Sequence, residues 1–374
     1  MIYLDYASTT PLDPFILDTY YSHQRDHFIN SASTYPQGVK LKFELEHARK
    51  SIAELFSVDA KDLIFTASGS EANSLAIKGI ALAHQHKGKH LITSKIEHPS
   101  VLESFQQLET SFGFEVDYLD VDKNGILDLN QLSQCLRKDT ILVSLMQVNN
   151  EVGSQQPIQE ASQLIRSKSK AIFHCDMVQA LGKHPLALAE VDLASFSAHK
   201  IFGFKGVGLL YKRHHLELLP LISGGAQEFG LRGGTTPTSL FISLYPTIKQ
   251  ALVNLDKHHQ MVSYLNQYLR QHLAEIKHLQ INSDETASPY ILSISHLKLG
   301  SEIVKNHLLS HNILVASRST CSSKSDQPSH VLKAMGLSMA AQQGVIRLSL
   351  SHQTQISELE VLIKALKEVN QYVR

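Results

Sequence analysis

The stretch ILVSLMQVNNEVGSQQPIQEASQLIRSKSKAIFHCDMVQALGK, residues 141–183, decides the fold. It opens on a largely apolar, β-rich run and passes through a polar turn. It then spaces Ile158, Ala161 and Leu164/Ile165 by three and four, and reaches a second strand run, AIFH, at 171–174. Strand, helix and strand in that order make a βαβ unit, the connection that parallel neighbours require. The same rhythm runs outward on both sides. Upstream lie LIFT (63–66), HLITS (90–94) and FEVDYL (114–119), with the helical set Val101, Phe105 and Leu108 among them; downstream lie DLASF (192–196) and GVGLLY (206–211). The prediction is an α/β domain whose mostly parallel sheet is covered on both faces. A helix marked by Leu41, Leu45, Ala48, Ile52 and Leu55 precedes it, and Asn124-Gly125 inside VDKNGILD predicts a hairpin turn. Past about residue 250 comes a helical stretch to about 276, then YILSISHL, NHLLSHNILVA, a polar loop, VIRLSLS and a final helix from Ile356. That mixture predicts a second, smaller α+β domain packed on the first without a linker.

Composition narrows the partners. The 374 residues carry 35 Lys+Arg against 35 Asp+Glu, and zero formal charge argues against nucleic acid as the main partner. Three cysteines, at 135, 175 and 321 with no CxxC pair, fit neither a disulfide framework nor a structural zinc site and point to a reducing compartment. The opening MIYLDYASTTPLD has no basic n-region and no apolar h-region, and no apolar run reaches about 18 residues. The expectation is a soluble, cytoplasmic chain without membrane contact. No metal is predicted either, although there are 21 histidines. The adjacent pairs His214-His215 and His258-His259 would point about 100° apart on a helix and seldom chelate one ion.

Ligands of open α/β sheets sit beyond the carboxyl ends of the strands, so the residues after each run carry the functional reading. LIFT is followed by Ala67-Ser68-Gly69-Ser70-Glu71, small residues opening a helix whose free N–H groups favour a phosphate. HLITS leads to Glu97-His98-Pro99, ILVSLM to Asn149-Asn150-Glu151, AIFH to Asp176 and Gln179, and DLASF to Ser197, His199 and Lys200. Each has an ordinary alternative. Ser-Gly-Ser can be a plain helix cap, His98 a satisfied loop histidine and Asp176 a loop cap. Lys200 is the least ordinary, standing between an apolar strand and the Gly-rich GFKGVG. A phosphate cradle, an aspartate, a histidine and a lysine on one rim suit pyridoxal phosphate: the lysine forms a Schiff base, and the carboxylate keeps the pyridine nitrogen protonated. A nicotinamide dehydrogenase would need GxGxxG after its first strand, and the chain contains none. Cys135 and Cys175 fall in apolar patterns and read as inert core, whereas Cys321 lies in ASRSTCSSKSDQPSH between Arg318 and Lys324, which would favour its thiolate.

These motifs, together with IYLDYASTTPLD, FTASGSEANSLAIKG, HCDMVQALGK, FSAHKIFGFKGVG, GGAQEFGLRGGT and VIRLSLS, resemble the NifS/IscS-type cysteine desulfurases over essentially the whole chain. These belong to the class V aminotransferase branch of the fold-type I pyridoxal-phosphate enzymes. The resemblance implies an α/β large domain, residues 13–257, with a mixed, mostly parallel seven-stranded sheet. It implies a small α+β domain from residues 1–12 and 258–374, carrying the Cys321 loop. It implies further that Lys200 holds pyridoxal 5'-phosphate and acts as base at the substrate Cα. Asp176 would pair with the pyridine nitrogen, Gln179 with the phenolic oxygen, and His98 would stack on the ring and assist proton transfer. Gly69, Ser70, Ser197 and His199 would hold the phosphate, with Thr235 reaching it from the second subunit of a homodimer whose active sites lie near the interface. Asn150 and Arg347 would bind the α-carboxylate of L-cysteine. Cys321 would take the sulfur as a persulfide, leaving L-alanine, and pass it to a sulfur-acceptor protein for Fe–S cluster or thio-modification synthesis.

Several positions depart from the family pattern. Ala67-Ser68-Gly69-Ser70 stands where Ser-Gly-Gly-Ser is common, and Met177-Val178 replace Ala-Thr. Arg318 and Thr320 replace Gly and Ala beside the cysteine, and Arg318 is expected to lower the Cys321 pKa. The chain stops soon after its last helix, which puts the usual scaffold partnership in doubt. The alternatives are a selenocysteine lyase or other class V enzyme, which would tolerate loss of Cys321, and an inactive regulatory homologue, against which Lys200, Asp176, Cys321 and Arg347 argue.

Overall fold

The computed structural model describes residues 1–317 and 329–373. After a short β1 (Ile2–Tyr3), the large sheet is built from β2 (Leu63–Thr66), β3 (His90–Ser94), β4 (Glu115–Leu119), β5 (Thr140–Met146), β6 (Ile172–Asp176), β7 (Leu193–Ser197) and β8 (Gly208–Lys212). Their spatial order is β2-β8-β7-β6-β5-β3-β4. Strands β3 to β7 run parallel, while β8 is antiparallel to both β7 and β2. The reason lies in the connection. Between β7 and β8 there is only a single 3-10 turn, Ala198–Lys200, and a glycine loop with Gly206 at φ 81, too short for the crossover a parallel neighbour needs.

Alternation along the strands sorts their side chains to two faces. Leu91, Leu142, Leu193 and Leu210 join one buried cluster with the helices Gly69–His84 and Pro99–Phe112. Their neighbours Ile92, Val143, Ala194 and Leu209 join another with Pro36–Phe56, Ile158–Lys168 and Thr238–Val253. Both faces are therefore covered, as expected for a sheet whose strands are buried throughout.

A third cluster gathers around the antiparallel sheet of β9 (Leu279–Ile281), β10 (Ile291–His296) and β12 (Val345–Ser349), ordered β12-β10-β9, with β11 (Ile313–Leu314) beside it. Leu4 and Ala7 belong to this cluster, and β1 pairs in parallel with β11 through Ile2 and Ile313. Two expectations are adjusted. The helical stretch expected from about 250 to 276 begins a few residues later, as Leu255–Leu273, because a separate helix, Thr238–Val253, runs up to Asn254, whose side-chain amide donates to the Gln250 carbonyl at 2.9 Å. The Asn124-Gly125 turn forms, with Gly125 at φ 76 and the Asp122 carboxylate accepting from Asn124 N and Ile126 N, but it joins a single bridge, Val121 to Leu127, and no paired strands.

The outer edge of β2 is closed by side chains. Arg49 donates to the Leu63 carbonyl at 2.7 Å and, in a two-pronged contact at 2.7 and 2.8 Å, to Glu228, whose carboxylate accepts the Phe65 N–H at 2.8 Å. The guanidinium lies 4.5 Å from the Phe65 ring centre and 5.1 Å from that of Phe229. Glu228 and Phe229 both adopt left-handed backbone, φ 47 and 58, a conformation non-glycine residues hold only when their surroundings fix it. Among the described residues no helix is long and apolar enough to cross a membrane.

Candidate active site

Strands β3, β5, β6 and β7 end on one side of the sheet, and their following residues wall a cavity of about 210 Å³ together with Ala7 and Ser8. Gly69, Ser70, His98, Asn150, Asp176, Gln179, Ser197, His199, Lys200 and Arg347 all line it. Thr235 does not line it and is exposed on this chain. Cys321, with Arg318, Thr320 and Lys324, lies outside the described residues.

One end of the cavity is an anion cradle. Ser68 Oγ caps the helix Gly69–His84 by accepting from Glu71 N at 3.0 Å, so the first-turn N–H groups of Gly69 and Ser70 remain, as at any helix start, without helical carbonyls. A Cβ on Gly69 would come within 2.9 Å of Val178 Cγ2 and 3.3 Å of Ser197 Cβ, which ties this glycine to close packing. Opposite, Ser197 Oγ is buried with no hydrogen-bond partner among the described residues. A buried hydroxyl left unpaired is costly unless a ligand satisfies it. Burial, with Lys200 adding, pushes the nearby His199 down to about 4, so its ring is neutral, and Nδ1 faces Thr9 Oγ1 at 3.1 Å.

Asp176 ends β6 at the centre. Its Oδ1 accepts from Val178 N at 2.9 Å and its Oδ2 from Asn73 Nδ2 at 2.7 Å, so both oxygens are held. His98 caps the helix Pro99–Phe112, its Nδ1 accepting from Ser100 N at 3.1 Å. That contact leaves the proton of the neutral ring on Nε2. Burial holds His98 below the ordinary imidazole range; Lys200 and His330 push the same way, against Asp176 and Glu151. Gln179 donates from Nε2 to the Ala7 carbonyl at 3.0 Å, and Lys200 Nζ donates to the carbonyls of Ala7 and Ser8 at 2.7 and 2.6 Å. Arg347, on β12, spans to the Asn150 carbonyl at 2.8 Å and to Asp5 Oδ1 at 2.8 Å, while its buried Nε has no partner among the described residues.

Some contributors carry no sequence signal. Asn73 and Asp5 meet Asp176 and Arg347 across 103 and 342 positions, whereas Ser100 and Lys183 bond near neighbours, His98 and Gln179, and nothing in the local pattern sets them apart from ordinary polar residues. Glu97 was passed over as a neighbour of His98. It is wholly buried, accepts from Ser94 Oγ at 2.6 Å and Met146 N at 3.0 Å, and its second oxygen has no partner among the described residues. Burial, reinforced by Asp176, raises its carboxyl from 4.5 to about 8. The folded chain therefore holds a proton there that the unfolded chain releases, so stability is fullest below about pH 4.5 and falls as pH rises toward 8. Glu97→Gln is expected to remove that fall: denaturant midpoints of variant and wild type, taken at matched cofactor loading, should shift in the variant's favour between pH 5 and 8. Parallel pH profiles would contradict a protonated Glu97.

The other two cysteines do not compete for chemistry. Cys175 is fully buried and Cys135 half-buried, and burial pushes both thiols up, Cys135 to about 11.

Residues 2–362 match the family Aminotransferase class-V. The chain belongs to that family. Among similar class-V proteins, it is 38% identical over 377 residues to the cysteine desulfurase IscS of Dictyoglomus turgidum, covering 100% of this chain and 95% of the relative. IscS of Buchnera aphidicola is 39% identical over 380 residues, covering 100% and 92%. Among solved structures, a NifS-like protein superposes with a TM-score of 0.93 at 32% identity over 99% of both chains. SspA, solved in complex with cysteine, does so at 0.82 and 33% identity over 94% of this chain and 99% of that one. The class-V fold accounts for both sheets and for a cavity built where strand ends from the large sheet meet Arg347 of the small one.

Proposed function

We infer that the chain is a pyridoxal-phosphate-dependent cysteine desulfurase, converting L-cysteine to L-alanine and delivering the sulfur to an acceptor protein. The observation that carries this is the convergence of Lys200, Asp176, His98, Gln179 and Arg347 on one cavity, in a chain similar over its full length to cysteine desulfurases. The cavity fits the cofactor: the Ser197 hydroxyl, without a partner among the described residues, and the helix start at Gly69 and Ser70 suit a phosphate, and Asp176 lines the same cavity. When bound, pyridoxal phosphate acts as an electron sink that makes the substrate Cα proton removable.

The chain's own groups divide the work. Gly69, Ser70, Ser197 and His199 would hold the phosphate, with Thr235 supplied by the second subunit of a homodimer. Asp176, fixed by Asn73 and Val178, would keep a proton on the pyridine nitrogen. Gln179 would donate to the phenolic oxygen. Lys200 would anchor the group covalently and, once displaced by substrate, take the Cα proton. His98 would cover the ring, its neutral imidazole able to pass a proton. Asn150 and the buried guanidinium of Arg347 would orient the substrate carboxylate. The Cys321 thiolate would attack the substrate sulfur and hold it as a persulfide; a reducing, cytoplasmic setting suits that species.

Purified protein incubated with L-cysteine should form alanine and releasable sulfur in equal amounts. Mass spectrometry should find the peptide bearing Cys321 heavier by one sulfur atom. Alanine without any sulfur retained on Cys321 would reject the persulfide route.

A further inference from the structure

The cavity wall behind Gln179 contains a lysine that the reading above does not use. Lys183 lies one helical turn after Gln179 in sequence, is buried, and donates from Nζ to Gln179 Oε1 at 2.8 Å. The Ala7 carbonyl, which can only accept, takes one N–H of the same amide at 3.0 Å. Two independent neighbours thus demand the same orientation, oxygen toward Lys183 and nitrogen toward the N-terminal segment, and an amide nitrogen has a second N–H to give. Gln179 also lines the cavity. On its far side Lys183 faces the Tyr290 ring at 5.9 Å and a second cavity of about 370 Å³, shared with Lys200 and with His258 and His352.

We propose that Lys183 is a positioning residue acting through Gln179: it fixes the amide with its N–H side to the cavity and strengthens it as a donor to the anionic ring oxygen of bound pyridoxal phosphate. This rests on the cofactor reading above. An uncharged acceptor behind Gln179 would let the amide turn over and present its oxygen to that anion. A hydrogen-bonded amine donating from behind makes the turned state doubly unfavourable and, in its protonated form, draws electron density away from the donating N–H. Burial first, and then the nearby charges of Lys200 and Arg347, hold the Lys183 amine down at about 7. No carboxylate pairs with Lys183 among the described hydrogen bonds, so its donor capacity goes to the amide.

The test uses the full chain, freed of cofactor and titrated with pyridoxal phosphate, reading affinity and the absorption maximum of the bound form. Lys183→Met is expected to weaken binding by about tenfold, the scale of one hydrogen bond to a charged group, and to displace the absorption maximum. Gln179→Leu should do the same. The double variant should be no weaker than Gln179→Leu alone, because Lys183 acts only through that amide. Lys183→Arg, still a cationic donor, should recover most of the affinity. If Lys183→Met does not fold, Lys183→Gln keeps a neutral donor, and its loss should again vanish in the Gln179→Leu background. Multiplying losses in the double variant, or wild-type affinity and absorbance in Lys183→Met, would overturn the proposal while leaving the cofactor reading intact. A wild-type chain that takes up no pyridoxal phosphate would overturn both.

Discussion

Replacing Lys200 by alanine is expected to lower alanine formation from L-cysteine by at least about a thousandfold and to leave pyridoxal phosphate removable by dialysis. The residue stands where three constraints meet. It follows β7 within the turn Ala198–Lys200, from which a short loop leads to β8. Its Nζ is held at hydrogen-bond distance from the carbonyls of Ala7 and Ser8, and it lines the cavity that Asp176 and Arg347 also line. On the proposed reading an amine so placed would have two duties, a covalent hold on the cofactor and removal of the Cα proton, and alanine can perform neither. Lys200→Arg separates charge from chemistry. It keeps a cation for the two carbonyls but neither links to an aldehyde nor gives up its proton, and it should be as inactive as the alanine variant. Borohydride reduction followed by peptide mapping should fix the cofactor on Lys200 in the wild type and on neither variant. Activity within tenfold of wild type in Lys200→Ala would remove Lys200 from the mechanism.

Arg49→Met should destabilise the chain by about 3–5 kcal/mol, the cost of breaking a buried ion pair and stranding one charge. Arg49 is 2% exposed, and its side-chain partner Glu228 is 3% exposed. Removing the guanidinium leaves a carboxylate in the interior, uncaps the Leu63 carbonyl and withdraws a cation from between Phe65 and Phe229. Pairing Arg49→Met with Glu228→Leu should restore part of that loss, because no charge is then left buried. The Leu63 carbonyl and the Phe65 N–H stay unpaired in the double variant, so recovery should be incomplete. Urea midpoints of the four proteins make the cycle. Additive losses would mean that Glu228 is not the partner that matters. Glu46, also within reach of Arg49 at 3.1 Å but nearly half exposed, is expected to contribute little.

How much of this was legible beforehand follows from the range of each interaction. Alternation of apolar residues announces a strand and its faces, so the seven runs of the large sheet, and YILSISHL and VIRLSLS beyond them, match strands within a residue or two, whereas the short β1, β9 and β11 carry too few residues to show a period. Direction is not encoded in that alternation, and β8 owes its antiparallel setting to a loop length. Polar residues just beyond strand ends share a rim by construction, which is why Asp176, His98, Gln179 and Lys200 could be named together. The groups that hold them could not. Asn73 meets Asp176 across 103 positions and Arg49 meets Glu228 across 179. Nothing in the local pattern of either residue points to the other. Lys183 was visible only as part of a motif, because its burial follows from packing against Tyr290, far downstream.

The N-terminal segment gives the site a place in time. Ile2 pairs with Ile313, the Ala7 N–H is held by Ser349 Oγ at 2.9 Å, and the Ala7 carbonyl in turn meets Gln179 and Lys200. During synthesis the segment around Ala7 must therefore wait for the segment around Ser349, 342 positions behind it. The large sheet can assemble as soon as Lys212 has emerged, but Ala7 cannot be held in its final place until Ser349 has followed it out. This wall of the cavity is therefore completed late, and until Ser349 is in place the carbonyls that receive Lys200 are not held where it can reach them.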